Sequence, residues 1–396
     1  MNKIVKLLFL AFFLLSNIGF SEERVISLEE VASTIGSKNY KIQETALEVY
    51  QAKESIQVAR GNLFPKLNFF KIAAVSLQPM MAFAMVNDIA PFLLPKNWIE
   101  VEKQKVLYLT SQESYRALWA NEIMMAKALY FNILLDFSIL DHIEVNQKQF
   151  QEILEIAKLR EELGGLKPGS ARDVEIQILA LKEDIRALTV LIQEELTFMS
   201  YLLGFPSSVE PVLTPVLLEE IETFEPLGYS DFEFRVLDSA PELRGLHHMV
   251  HVADLLKKEV IFDFWGVGTP ASIRIEKSKK EVLKIQAQAT QEHLKRELKI
   301  LIDQYNLNLE NYRDAKRRSE LSKISLDQNF ERLTLGDDVT IRDLIESSKN
   351  HIQADTDFFR MQYEFLKSED RLSRLIFYGD YDKKPAVLDH LGETLK

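Results

Sequence analysis

The sequence has no cysteine, and only 14 glycines and 12 prolines among 396 residues. Without cysteine, neither a disulfide-stapled scaffold nor a cysteine zinc site can form. Glycine and proline together make up about 7% of the chain, against a typical ~12%. A β-sandwich, barrel or propeller needs turn residues every ~8–12 positions, so an all-β fold is excluded. Basic charge is also short: 48 Lys and Arg face 60 Asp and Glu, a net charge of -12. Binding to phosphate backbones calls for a basic face, so nucleic acid is not the expected partner. No phosphate loop, dinucleotide fingerprint, nucleophile elbow or zinc-protease motif occurs, so no catalytic residue and no cofactor is expected. What the chain does have is apolar substance, 46% hydrophobic and 10% aromatic. That is too much for disorder and enough for one elongated or two compact domains.

Lys3 and Lys6 precede an apolar run from Leu7 to Leu15, and Gly19-Phe20-Ser21 follows. A charged start, a short apolar core and small residues before a cut after Ser21 describe a secretory signal peptide. The run is too short to span a membrane, which takes about 20 residues; the alternative is an uncleaved anchor. In a double-membraned bacterium the exported chain reaches the periplasm or outer membrane.

The breakers are segregated. Lys96–Leu163 and Ala271–Leu335 contain no glycine or proline, over 68 and 65 residues. As helices they would each run about 100 Å. Charges recur in both, which argues against a membrane span. Shorter breaker-free stretches, Ser170–Leu203 and Asp337–Tyr378, follow. Val174, Ile178, Leu181, Ile185, Leu188, Ile192, Met199 and Leu202 form an a/d ladder interrupted only by Glu195, the pattern of a coiled-coil seam. Leu298, Tyr305, Tyr312, Ser319, Leu326 and Leu333 recur every seven residues, as do Ile345, Ile352, Phe359 and Leu366.

The pattern occurs twice. Each long stretch ends at glycine, and Ser170 and Thr340 stand as N-cap candidates three residues before Asp173 and Asp343. Asn39-Tyr40-Lys41-Ile42 and Ala240-Pro241-Glu242-Leu243 mark matching starts. The first copy carries an excess of 31 residues, assigned to the stretch between Ile42 and Lys96. The expected division is signal peptide 1–21, first helical repeat 22–203 with an apolar insert 67–94, connector 204–241, second repeat 242–379 and tail 380–396.

This order resembles the TolC-like outer-membrane efflux protein family. Ser27-Leu28-Glu29-Glu30-Val31 looks like its opening "SLEEA" box, and Gln57–Pro65 resembles its exit from the first helix. Leu202-Leu203-Gly204 and Ala240-Pro241-Glu242-Leu243 resemble the end of the first copy and the start of the second. The resemblance covers nearly the whole mature chain. It implies a mainly α fold, in which long antiparallel coiled-coil helices form one third of a trimeric α-barrel. It implies a homotrimeric channel in efflux or type I secretion, meeting a periplasmic adaptor and an inner-membrane pump at the glycine turns. It is therefore no enzyme. The tips would dock through Leu163, Gly164, Gly165, Leu166, Leu333, Leu335 and Gly336.

The sequence departs from the family at the barrel. A membrane-crossing strand takes about 9–11 residues, and only Ile261–Ser272 separates the helices of the second copy. The insert 67–94 is apolar but does not alternate, so little or atypical β-barrel is expected. The alternative function is a periplasmic coiled-coil protein, structural or adaptor-like, that has lost the pore. Phe69, Phe70, Phe83, Trp98 and Trp265 are candidates for the membrane-proximal end. Asp173, Asp337, Asp338 and Asp343 cluster near the tip; in a trimer they would form acid rings, and otherwise they complement helix dipoles. His247, His248 and His251 read as a solvated helix face rather than a metal site.

Overall fold

The computed structural model describes residues 22–64, 91–216, 218–262, 270–335 and 340–382. The predicted signal peptide, most of the insert 67–94, Phe69, Phe70, Phe83, Trp265, Gly336, Asp337, Asp338 and residues 383–396 lie outside the described residues.

The first copy opens with strand β1 (Glu22–Ile26), helix α1 (Leu28–Lys38) and helix α2 (Tyr40–Gly61). Helix α3 (Pro95–Glu162) and helix α4 (Ser170–Leu202) follow. Strand β2 (Val209–Leu213) and short 3-10 turns make the connector. The second copy is α5 (Glu233–Ser239), α6 (Pro241–Ile261), α7 (Pro270–Leu335) and α8 (Ile341–Leu375). The helix lengths repeat: α3 and α7 have 68 and 66 residues, α4 and α8 have 33 and 35.

Local chemistry sets these boundaries. Ser27 and Glu30 form a reciprocal capping box at the start of α1, which is the physical content of the "SLEE" sequence. The predicted matching starts share one backbone kink: Asn39 ends α1 at φ -62, ψ 126, and Ala240 ends α5 at φ -61, ψ 114. At α8 the capping box also forms, with the Asp343 N–H donating to Thr340 Oγ1 at 3.2 Å and the Thr340 N–H to Asp343 Oδ2 at 2.9 Å. At α4 the expectation is corrected: the N-cap is Gly169 at φ 97, and Ser170 is already helical. The cap comes from the preceding helix, where Glu161 accepts the N–H groups of Gly169 and Ala171 at 2.6 and 3.0 Å.

The segment between α2 and α3, residues 62–94, is 33 residues long, whereas only residues 262–269, eight in all, join α6 to α7. Most of the excess in the first copy therefore lies where the sequence put it. The remaining few residues are spread over α2, α3, the glycine turn and the start of α4.

The chain forms two compact units, each drawing on both copies. The first unit contains residues 1–39, 123–227 and 301–372. Its two strands pair in parallel from Glu22 opposite Val209 to Ile26 opposite Leu213. The Tyr130 hydroxyl bonds to the carbonyls of Ile26 and Thr214 at 3.2 and 2.6 Å, clamping both strand ends. The α4 ladder faces inward as predicted, with Val174, Ile178, Leu181, Ile192, Met199 and Leu202 buried. On α8 the buried seven-residue row runs through Leu344, His351, Phe365 and Leu372, one residue before the predicted row, whose Ile345 and Ile352 are only partly buried. The polar member His351 hides that row from an apolar count.

The second unit contains residues 40–122, 228–300 and 373–396. Val106 packs with Val252 and Leu255, joining α3 to α6. Arg374 donates to Asn121 and to Glu242 at 2.9 and 2.7 Å, and its guanidinium lies 5.6 Å from the Phe377 ring. His247 and His251 are exposed and His248 is half-buried. One finding differs from the expectation that charges recur everywhere. An 18-residue window of α3 has mean hydropathy 1.6, enough by length and composition to cross a membrane, and 44% of it is buried in the chain. Tyr115, Ile123, Ala126, Tyr130 and Ile133 on this helix are core residues, so its apolar character serves packing.

Candidate functional site: the glycine turn and the buried polar seam

The first glycine turn is a Schellman ending. The Gly165 N–H reaches the Arg160 carbonyl at 2.8 Å and the Gly164 N–H the Glu161 carbonyl at 3.1 Å, with Gly164 at φ 74. Beneath it Phe150, Ile153, Ala157, Val174, Ile178, Leu333, Ile341 and Leu344 form a core from four helices. Leu333 is 1% exposed and belongs to that core, so it supports the tip and offers no face to a partner. Leu163 and Leu335 are 77% and 74% exposed, and Leu166 packs partly against the core. Among the described residues, Leu163, Leu335, Gly164 and Gly165 are exposed at the helix ends.

The acids at the tip do local work. Hydrogen bonds from the Thr340 side chain and backbone hold the Asp343 carboxyl below the usual range, and Arg342 adds to this. Asp173 is exposed in the first turn of α4, where it complements the helix dipole. In the second unit, Trp98 is half-exposed and its indole N–H donates to the Phe92 carbonyl at 2.8 Å. It lines an open groove of about 730 Å³ with Phe64, Phe92, Arg60 and Lys105.

A second feature escaped the sequence reading. Several polar side chains on α3 and α8 are buried in the first unit, among them Lys127, Asn146, His351, Lys367 and Asp370. Lys127 pairs with Asp370 at 3.3 Å, both side chains 10% exposed. His142 and His351 each lie 3.4 Å from the Asp355 carboxylate. Glu195, the one polar member of the α4 ladder, is half-buried beside the half-buried Asp136. Burial first, then the charge and hydrogen bond of Asp136, push the Glu195 carboxyl up to about 7, while Lys367 opposes this. Burial also raises Asp136, against the pull of Glu195 and Lys367. The hydrogen bond between them raises Glu195 and lowers Asp136, so a proton between the two carboxyls favours Glu195. The signal that marks the seam in the sequence is polar residues at core spacing: Ser347, His351 and Asp355 on α8, and Glu195 on α4.

The raised Glu195 carboxyl makes a pH prediction. Glu195 keeps in the folded chain a proton that the unfolded chain releases near its ordinary 4.5. The stabilisation is therefore complete below about 4.5 and is lost as pH rises through about 7. Unfolding followed by circular dichroism should show stability lower at pH 8 than at pH 6 by up to about 1 kcal/mol, after discounting for solvent screening. Glu195→Gln should remove that difference; an unchanged difference in the variant contradicts the raised Glu195.

No protein-family model matches the sequence, and no curated protein matches it. Solved structures do match its shape. The Campylobacter jejuni CmeC outer membrane channel aligns at TM-score 0.71 and 12% identity, over 93% of this chain and 89% of that one. The Neisseria gonorrhoeae MtrE outer membrane channel in its open state aligns at TM-score 0.71 and 12% identity, over 89% of each chain. The chain has a TolC-like fold. The Vibrio cholerae outer membrane protein VceC aligns at TM-score 0.69 and 10% identity, over 89% of this chain and 96% of that one. The TolC-like fold accounts for the two-copy order and for the mainly α content. The structures that carry it are channels rather than enzymes. Among the described residues of this chain, β1 and β2 are the only strands.

Proposed function

We propose that the chain is one protomer of a homotrimeric channel or periplasmic tunnel of the outer membrane, serving efflux or type I secretion. The likeness to outer membrane channels, which runs through both helical copies, carries this reading. Apolar faces without a partner in the single chain support the trimer. Ile176, Leu179, Val190, Phe198 and Tyr201 on α4, and Ile300, Leu307 and Leu321 on α7, are between 47% and 63% exposed. The tip leucines and glycines would meet a periplasmic adaptor that links to an inner-membrane pump. In a trimer Asp173 and Asp343 would stand near the tip in threes, favouring cations. Trp98, with Phe64 and Phe92, marks the membrane-proximal end. A signal-peptide cut after Ser21 would leave Glu22, the first residue of β1, at the N-terminus.

One observation favours the second reading, a periplasmic coiled-coil protein without a pore. The eight residues between α6 and α7 fall short of a single membrane-crossing strand of about 9–11 residues. One hairpin per chain from residues 62–94 would give a trimer six strands, against about eight in the smallest spanning barrels. Planar-bilayer conductance of the detergent-purified protein, with chemical crosslinking, separates the readings. Crosslinked trimers with stepwise conductance are the expected result. A trimer that never conducts favours the pore-less protein, and a monomer overturns both.

A further inference from the structure

The sheet of β1 and β2 has two edges, and the chain treats them differently. The Thr214 N–H donates to the Ile26 carbonyl at 3.1 Å, so Ile26 and, two residues back, Arg24 turn their backbone groups towards β2. On β2, Val209 and Pro211 turn theirs outward, and that edge is closed. Pro211 has no N–H, the Val209 N–H donates to the Pro206 carbonyl at 3.0 Å, and the Val209 carbonyl accepts from the Ser200 hydroxyl at 3.1 Å. On β1, Glu23 and Val25 turn their N–H and C=O groups away from β2, and these groups have no hydrogen-bond partner among the described residues. An edge of unpaired backbone groups is a template for another strand.

The side chains beside that edge say what it would take. Glu23 lies opposite Glu210 and Val25 opposite Val212, so the outer face of the sheet carries an acid pair and then a valine pair. Glu23 is exposed, and Val25 and Val212 are 61% and 40% exposed. Glu210 accepts from the Gln193 side chain at 3.2 Å, a neutral donor. Arg24, the adjacent cation, points to the other face, where its guanidinium lies 4.8 Å from the Phe205 ring. Neither Glu23 nor Glu210 has an ion-pair partner among the described residues. Like charges directly opposite each other across a ladder are unfavourable, so this face is complementary to a cation from outside.

We propose that the outer edge of β1 docks a short extended segment of another protein, with a Lys or Arg opposite Glu23 and a β-branched apolar residue two positions away, opposite Val25. The added strand bonds to the free backbone groups of Glu23 and Val25, neutralises the acid pair and covers the valine pair. A second copy of this chain does not supply that segment. Its outer β2 edge is closed, so neighbouring copies cannot join β1 to β2. Two β1 strands paired antiparallel would set outward residues against outward residues, so Arg24 of one would not meet Glu23 of the other. The inference does not depend on the channel reading, since the edge belongs to one chain.

The probe is a fluorescein-labelled peptide, Thr-Lys-Thr-Val-Thr-Lys-Thr, which presents Lys and Val two apart in either strand direction. Anisotropy titration against the full chain should show saturable binding, about fivefold tighter than for the same peptide with Glu in place of Lys. Hydrogen exchange over residues 22–30 should slow when the Lys peptide is bound. Glu23→Lys should reverse the preference between the two peptides. Val25→Pro removes an N–H that faces away from β2, so it should leave the unfolding midpoint in place and weaken binding about tenfold. No saturable binding of the Lys peptide, equal affinity for both peptides, or a preference that Glu23→Lys leaves unchanged overturns the proposal, whether or not Val25→Pro folds. Protection of residues 22–26 that is present without peptide and disappears on dilution would mean that a second copy covers the edge, and overturns it too.

Discussion

Gly204→Ala should lower stability by about 3–4 kcal/mol, the sum of left-handed backbone strain and an unrelieved clash. Gly204 ends α4 at φ 66, in a Schellman turn where its N–H reaches the Tyr201 carbonyl and the Phe205 N–H reaches the Ser200 carbonyl. A methyl group there would overlap the Lys38 carbonyl oxygen and lie 2.6 Å from its carbon. Both contacts are backbone, so no rotamer change relieves them. The junction is tightly held, with Asn39 donating its side-chain amide to the Leu202 carbonyl at 2.8 Å and Leu203 fully buried. Gly164→Ala is the control: Gly164 has φ 74 and nothing within 4 Å of the added carbon, so it should lose only the strain, about 1 kcal/mol. Denaturant midpoints of the two variants measure the difference. Equal losses would mean that α1 and the end of α4 do not meet so closely. The "L-L-G" sequence thus reflects a close backbone approach as well as a helix stop.

The second large effect is at the Lys127–Asp370 pair. Lys127→Met should cost about 3–5 kcal/mol, because the buried Asp370 carboxylate would lose the Lys127 ammonium that offsets its charge. Lys127→Met combined with Asp370→Leu should recover most of that loss and can exceed the wild-type stability, since the pair's desolvation cost disappears with it. A double-mutant cycle in chemical unfolding checks this. Single and double variants losing the same stability would show that the pair is not coupled. Lys127 interrupts an otherwise apolar stretch of α3, and Asp370 sits on a helix with many charges, so neither residue type announces a buried contact in the sequence.

That contrast runs through the molecule. The a/d ladder of α4 was legible because its buried positions are apolar, and even its exception, Glu195, was visible as an exception. The seam on α8 was not legible in the same way. Ser347, Ser348, His351, Gln362, Lys367, Ser368 and Asp370 are buried there, so the apolar count settled on Ile345, Ile352 and Phe359, one residue out of register. The tip showed the same division. Its glycines gave away the reversal, but that Leu333 is core while Leu335 is exposed depends on which helices converge beneath the turn. Likewise Ser170 looked like a cap, and the cap proved to be Glu161, nine residues earlier, a choice made by the shape of the turn.

Where glycine and proline stand is a local property, because each acts on its own backbone dihedrals and hydrogen bonds. For that reason the sequence by itself determined the two copies, the lengths of α3 and α7, the shared kinks at Asn39 and Ala240, and the short link between α6 and α7. Only the tertiary structure decided the parallel pairing of β1 with β2, the clamp of Tyr130 on their ends, and the burial of an ionisable seam within a coiled-coil core. The physical reason is that a polar group can be buried once a partner from a distant helix satisfies it. Hydrophobic periodicity registers one helix at a time and carries no record of that partner.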